Sequence, residues 1–386
     1  MILNLNRIAL IFSLWIAGLL AGGQFAKISV IIPELQALYP SQAGQIAWLL
    51  TLVSAVGAIL GGFAASIANR YGLVRILTAS LALAGILSLW QSTYPSFEIM
   101  AISRVIEGAT HLGIVVTAPA LMAEASSDRW RGATMALWGT FFGVSFAIFG
   151  WFGIPLLEQI QISGLFQLHG AGLIATALLI AVLLKTSGTT IERSEAAQTP
   201  PSLNLTAFRD VCVLWPGIGW LFYTLTFLAL LTILPAQLPD ELRSQATTIL
   251  PLVSIATGVL ILPVLLMRFS ASTMVMVGFI SAALILSLGG QGDLLILATC
   301  LFAVLGLIQS GTFAAVAELN ISTEKRTLGY GVMAQTGNLG NLVGTPLLLL
   351  SLDKYGLQSL QLITAMVYVA AFAVLTVLAG RMKRSV

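Results

Sequence analysis

Apolar residues come in twelve long runs separated by short polar punctuation, and the runs fill nearly all 386 residues of the chain. The approximate spans are 8–32, 45–67, 76–93, 98–122, 132–155, 165–185, 210–235, 245–267, 273–290, 294–317, 328–350 and 359–380. Most approach the ~20 mostly apolar residues that carry a helix across the hydrocarbon core. A membrane β-barrel would instead alternate apolar and polar positions in segments of about ten residues, and no such alternation is present. The pattern predicts an all-α membrane protein with twelve transmembrane helices. The first run, from Ile8, does not read as a cleavable leader, because it is long, carries Lys27 and lacks a small-residue cleavage site before the next run.

The punctuation carries two further signals. The one long polar stretch, Thr186 to Arg209, contains Thr199-Pro200-Pro201-Ser202 and reads as a linker. It divides the chain into an N-terminal six-helix bundle (1–185), a cytoplasmic linker (186–209) and a C-terminal six-helix bundle (210–386). Fourteen Lys and Arg residues, from Arg7 to Arg384, fall on loops and tails of one side, against Arg243 and Lys354 on the other. By the positive-inside rule the N- and C-termini are cytoplasmic, in a multi-pass protein of the cell inner (plasma) membrane.

Composition sharpens this picture and excludes alternatives. Hydrophobic residues make up 58% and charged residues 9%, against roughly 45–50% and 25% in soluble domains. The net charge of +3 is accounted for by topology rather than by nucleic-acid binding. Cys212 and Cys300 lie far apart in apolar runs, and two cysteines with two scattered histidines make neither a disulfide framework nor a metal-ligand spacing. No GxxxxGK[ST] loop is present, so ATP is not expected as the direct energy source and no cofactor is expected. No nucleophile–base pair or paired carboxylates fall within the spans, and the chain does not read as an enzyme.

The two halves echo each other. Ala123-Glu124 ends span four and Ala317-Glu318 ends span ten; Arg131-Gly132 follows the first, Arg326 and Gly329 the second. Gly139, Gly143 and Pro155 of span five stand against Gly337, Gly340, Gly344 and Pro346 of span eleven. The loop after span two reads Asn69-Arg70-Tyr71-Gly72-Leu73-Val74-Arg75, and span four contains Arg104-Val105-Ile106-Glu107-Gly108. With these elements the chain resembles, over its whole length, the major facilitator superfamily. The loop is similar to that family's Asp-Arg-x-Gly-Arg-Arg signature, with Asn69 in place of the acid. Span four matches its Arg-x-x-x-Gly element. Span five has no Gly-Pro pair, so the antiporter signature is incomplete, and the loop around Arg268-Phe269 after span eight is degraded. The resemblance implies two pseudo-symmetric bundles working by alternating access, a central cavity lined by spans 1, 4, 7 and 10, and a monomer.

Ionisable side chains within a span are expensive and usually face a partner or a cavity. Arg104, Glu107 and His111 are offset by three and seven residues, hence within about 60° on one helix face. Glu107 lies roughly 14 Å from the start of its span, near the middle of the ~30 Å core. Ser13, Gln24 and Lys27 share a face of span one. If the cavity implied by the resemblance holds, Lys27, Gln24 and Arg104 are expected to bind substrate, Arg104 through a bidentate grip on a carboxylate. Burial and neighbouring cations oppose each other at Glu107, making it a candidate proton carrier, with His111 as a second. In the second half Trp220, Tyr223, Thr226 and Phe227, with Gln309 and Phe313 opposite, are expected to hold the apolar body of a solute. Arg70, Arg75, Arg131 and Arg326, pairing with Glu124 and Glu318 at helix ends, are the expected gate. The glycines of spans five and eleven are expected to let the two halves approach.

The expected function is proton-coupled secondary transport of a small organic solute, anionic or zwitterionic, with the substrate, protons and the lipid bilayer as partners and no nucleic acid. The first alternative is a drug/proton antiporter exporting lipophilic compounds, served by Glu107. The second is a membrane sensor or assembly factor that keeps the fold without transporting.

Overall fold

A computed structural model of the chain describes residues 5–186, 209–288 and 293–382, and regular structure among them is entirely helical. The linker expected at 186–209 lies, but for its two end residues, outside the described residues, as do Arg193, Lys383 and Arg384. The first helix, α1, is Leu5–Ser29; α2 joins Ile46–Thr51 to Val53–Tyr71 through Leu52. Then follow α3, Leu73–Gln91, and α4, Phe97–Ala125. Between α2 and α3 stands Gly72 with φ +95°, a left-handed conformation that costs glycine nothing and lets the signature loop turn in a single residue.

Two continuous helical stretches conceal a turn each. Phe141–Lys185 has 45 residues and Leu328–Met382 has 55. At 1.5 Å per residue these would extend about 68 and 82 Å, more than twice the ~30 Å core. Each contains one residue with positive φ, Gln161 (+57°) and Gly356 (+79°), where the helix breaks. We therefore denote residues 128–160 as α5 and 162–186 as α6. In the second half, α7 is Val211–Ala236, α8 spans 240–265, α9 is Ala271–Leu288 and α10 is Leu294–Leu319. Residues 323–355 form α11 and 357–382 form α12. Nine stretches are long and apolar enough to cross a membrane and Ala271–Ser287 is a shorter apolar helix; divided at the two breaks, the described residues carry twelve apolar helices.

The described residues form two compact units, residues 5–56 with 63–186, and residues 57–62 with 209–288 and 293–382. In the first, α1, α3, α4 and α6 share a core. Its inward stripes are Leu10, Leu14, Ala17 and Ala21 from α1, Leu77, Leu81 and Ala84 from α3, Ile114, Ala118, Leu121 and Met122 from α4, and Leu173, Ala177 and Ile180 from α6. The three-and-four spacing places each set on one helix face. Continued past the apolar layer, the same stripes reach Gln24 and Lys27, Ser88 and Gln91, Thr110 and Glu107, and His169: the core changes from apolar to polar without changing its period.

In the second unit α7 packs along α11. A Cβ on Gly337 would meet the Trp220 ring, on Gly340 the Thr224 hydroxyl and Leu221 carbonyl, and on Gly344 the Leu225 carbonyl. These glycines thus seat α7 against α11 inside one unit, a correction to the expectation that span eleven uses them to bring the two halves together. The side chains of α7 are large, so only a neighbour without Cβ atoms allows that approach.

The internal echo is structural as well. A Cβ on Gly108 would strike the Val53 carbonyl of α2, and one on Gly306 the Ser254 carbonyl of α8. Five residues on, Gly113 abuts Ser80 of α3 and Gly311 abuts Val275 of α9. Arg131 Nε donates to the Ala123 carbonyl (3.3 Å) at the end of α4, and Arg326 Nε to the Asn320 carbonyl (2.8 Å) just after α10.

Candidate functional site

The polar layer of the first unit is a closed network around three charges. Lys27, Arg104 and Glu107 are each 0% exposed. Glu107 accepts from Lys27 Nζ at Oε1 (2.8 Å), and at Oε2 from Arg104 Nη1 and from Gln91 Nε2 (2.9 Å). Arg104 also donates from Nε to the Leu49 carbonyl (2.7 Å) and from Nη2 to the Gln24 carbonyl. Lys27 Nζ lies 3.1 Å from Gln91 Oε1, 3.2 Å from Ser88 Oγ and 3.4 Å from His169 Nδ1, with the Phe166 ring 4.8 Å away. Gln91 completes its inventory by donating to Ser103 Oγ (2.9 Å). Buried ions persist only when this well provided with partners. With both histidines neutral, two cations face one carboxylate, and the cluster carries one excess positive charge.

His111 forms its edge. Gln24 Nε2 donates to Thr110 Oγ1 (3.1 Å), whose own hydrogen goes to the Glu107 carbonyl (2.6 Å); Gln24 Oε1 therefore faces His111 Nδ1 at 3.0 Å. The Ala21 carbonyl is 3.2 Å from the same nitrogen. Both neighbours only accept, so Nδ1 carries the hydrogen. His111 is half-buried, and no hydrogen bond reaches its Nε2 among the described residues.

The expected residues of α1 and α4 thus come together, but not as a cavity lining. Lys27, Gln24 and Arg104 are enclosed, each 0% exposed: α3 and α6 supply partners to Lys27, the Leu49 carbonyl of α2, the Gln24 carbonyl of α1 and Glu107 meet Arg104, and Thr110 and His111 of α4 meet the Gln24 amide. The residues sequence analysis passed over are Ser88, Gln91 and, above all, His169. An ionisable residue in the apolar run of α6 was a signal in itself. Its partners come from α1 and α3, however, and no local spacing announces them.

The second unit offers a different inventory. Trp220 stacks on Tyr223 (centroids 4.8 Å), Tyr223 on Phe227 (4.9 Å), and Phe313 meets Trp220 edge-on (4.9 Å). Trp220 and Gln309 are half-buried and Phe313 is 44% exposed. Tyr223 Oη and Ser254 Oγ are buried and face each other, and neither makes a well-formed hydrogen bond to any other group among the described residues. Thr226, expected to touch a solute, is instead fully enclosed; its hydroxyl accepts from Tyr368 (2.9 Å) and turns to the Tyr223 carbonyl (3.1 Å). Relative to Gly306, Phe302 and Leu305 stand where Arg104 and Glu107 stand relative to Gly108, and both are fully buried. The shared scaffold holds charge in one unit and aromatic surface in the other.

Arg70, Arg75, Glu124, Arg131, Glu318 and Arg326 are all exposed at helix ends. Glu318 accepts from the Ala271 backbone N–H and the Ser272 hydroxyl (2.6 Å), capping α9, and is occupied there rather than by an arginine. Arg131 and Arg326 reach terminal carbonyls, as described above. Among the described residues an ion pair joins Lys325 to Asp210 at the start of α7 (2.7 Å), which sequence analysis had not singled out. No group of three or more potential metal ligands occurs among the described residues.

Comparisons with known proteins bear on this geometry. The chain is 27% identical over 348 residues to the 3-(3-hydroxy-phenyl)propionate transporter of Escherichia coli (strain K12), covering 86% of this chain and 81% of that protein. Its fold is similar to that in the crystal structure of the human organic anion transporter MFSD10 (TETRAN), with TM-score 0.66, 15% identity, and coverage of 96% and 99% of the two chains. The sequence profile of the Major Facilitator Superfamily matches residues 14–345. The chain therefore belongs to the Major Facilitator Superfamily and is a multi-pass membrane transporter rather than an enzyme.

Proposed function

We propose that this protein moves a small organic anion of the aromatic carboxylate class by alternating access, with movement coupled to protons. The observation that carries the reading is the excess positive charge of the Lys27–Arg104–Glu107 cluster. In a low-dielectric interior one uncompensated charge acts over several ångströms. It favours an anion, and disfavours a lipophilic cation, on the His111 side of the cluster. Lys27 and Arg104 set that field with Gln24 holding their neighbours in place, while His111 Nε2, an open acceptor in the neutral ring, is the group placed to accept a hydrogen bond from the solute. The second unit by itself also carries aromatic surface: the exposed ring of Phe313 and the half-buried ring of Trp220 suit an aromatic solute, and the half-buried Gln309 adds a polar group. The similarity to a transporter whose named substrate is an aromatic carboxylate supports the same class. Coupling is assigned to the buried cluster, and the Arg70, Arg75, Glu124, Arg131, Glu318 and Arg326 positions to gating.

A thermal-shift screen of the detergent-purified protein tests the substrate class. Its pools would be aromatic carboxylates, aliphatic amino acids, sugars and lipophilic cations. A ligand at 100 times its dissociation constant stabilises by about 2.7 kcal/mol. Stabilisation by aromatic carboxylates, weakened in His111→Ala, is the expected result. Stabilisation by lipophilic cations alone would make the protein a drug exporter instead.

A further inference from the structure

The geometry points to Lys27 and His169 as a pair that holds one exchangeable proton between two nitrogens, with Glu107 as its fixed counter-ion. The inference rests on the proton-coupled reading above and names the group that carries the proton.

The hydrogen positions follow from the partners. His169 Nε2 lies 2.8 Å from the Leu20 carbonyl, which only accepts, so Nε2 bears a hydrogen. Gly23 makes this seat possible, since a Cβ there would press on the imidazole at 2.9 Å from Nε2. The Phe149 ring, in the π-helical turn of α5, lies edge-on to the imidazole at 6.2 Å. Nδ1 is thereby left facing Lys27 Nζ at 3.4 Å. Ser88 gives its hydrogen to the Phe166 carbonyl (2.8 Å), and its oxygen is an acceptor 3.2 Å from Lys27 Nζ and 3.2 Å from His169 Nδ1. One hydroxyl oxygen can therefore receive a hydrogen bond from whichever nitrogen holds the proton.

The charged and titratable groups facing the pair are Arg104, Glu107 and His111, all from α4; α3 contributes only the neutral Ser88 and Gln91. An ammonium and an imidazolium cannot both stand 3.4 Å apart beside Arg104 with a single carboxylate available. With Lys27 as the ammonium, Nδ1 accepts from it. When the proton moves to Nδ1, the new N–H turns to Ser88 Oγ, and the neutral amine still donates to Glu107 and Gln91. Glu107 is held by three donors, and its protonation would unseat at least one. Loss of the shared proton leaves the Arg104–Glu107 pair and closes the cluster at zero net charge. Loading it restores the excess charge that draws an anion, so proton and anion are bound together and released together.

The test is ¹⁵N NMR of the imidazoles in nanodisc-embedded protein. The sequence has 2 histidines, and the resonances lost in His169→Gln identify the second. In the wild type, His169 is expected to carry hydrogen on Nε2 alone wherever Lys27 is charged. In Lys27→Met, Nδ1 is expected to take up a proton at pH values where the wild type shows none, and to do so less in Lys27→Met/Ser88→Ala. A His169 that keeps a single proton in Lys27→Met over the same range would overturn the pairing, as would a doubly protonated His169 beside a charged Lys27 in the wild type. In proteoliposomes, His169→Gln, which keeps the Lys27 charge, is expected to exchange solute without proton-driven accumulation. Accumulation surviving in that variant removes the pair as carrier. If the wild type shows the shared proton by NMR yet never accumulates solute on a pH gradient, the coupled-transport reading fails while the pair stands.

Discussion

Glu107 shows why a residue's role depends on what encloses it. Its two oxygens accept from Lys27, Arg104 and Gln91, and nothing else in the cluster is negative. Glu107→Gln leaves two buried cations without a carboxylate. Removing one partner of a buried pair costs about 3–5 kcal/mol, so the midpoint of thermal unfolding in detergent is expected to fall steeply. Lys27→Met/Glu107→Gln is expected to lose less than the sum of the two single variants, because the pair shares one network; strict additivity would show that the contact carries little energy. At this scale the sequence was legible where local spacing sufficed. Arg104, Glu107 and His111 are neighbours on one helix face and were found together. His169 was not, because its partners Lys27 and Ser88 lie 142 and 81 residues away and only packing of four helices joins them. In retrospect Ser88 and Gln91 keep the period of Leu77, Leu81 and Ala84, so the stripe pointed inward even where its chemistry changed.

The helices themselves were visible as apolar runs, and their ends were less so. The break between α5 and α6 falls at Gln161, a residue type with no preference for positive φ, so no turn signal marks it. Close crossings were hidden too. Gly108 and Gly306 each lie against a backbone carbonyl of a neighbouring helix, and a run of small residues does not say which neighbour it serves. Gly108→Ala and Gly306→Ala are each expected to lower stability by about 1–3 kcal/mol, the usual cost of overpacking; unchanged unfolding midpoints would contradict the crossings. At the start of α7, Asp210 Oδ1 caps the Cys212 N–H (3.0 Å) and Oδ2 accepts from Lys325 (2.7 Å). The Lys325 ammonium, through that hydrogen bond, holds the Asp210 carboxyl below its usual range. A lowered folded value means a stabilisation present above the free aspartate range, about 3.9, and lost as pH falls through the depressed value. Asp210→Asn keeps the cap and loses the charge. The gap in unfolding midpoint between wild type and this variant is expected to close on acidification; a gap independent of pH would place the effect in the cap alone.

Across the whole molecule, two units with the same close crossings carry different chemistry. The twelve-helix plan and the family were readable from runs, charge bias and motifs, because topology is written in local composition. The enclosure of Lys27 and Arg104 was not, since a stripe of polar residues looks the same whether it faces water or the acceptors of neighbouring helices. On that enclosure rests the proposal that a buried cluster, positive when loaded with a proton and neutral when empty, couples movement of an organic anion to protons. The direct measurement is accumulation of a radiolabelled aromatic carboxylate by proteoliposomes under an imposed pH gradient. Accumulation that follows the proton gradient and collapses when it is dissipated is the predicted result. Transport of lipophilic cations in its place, or carboxylate movement indifferent to the gradient, would contradict it.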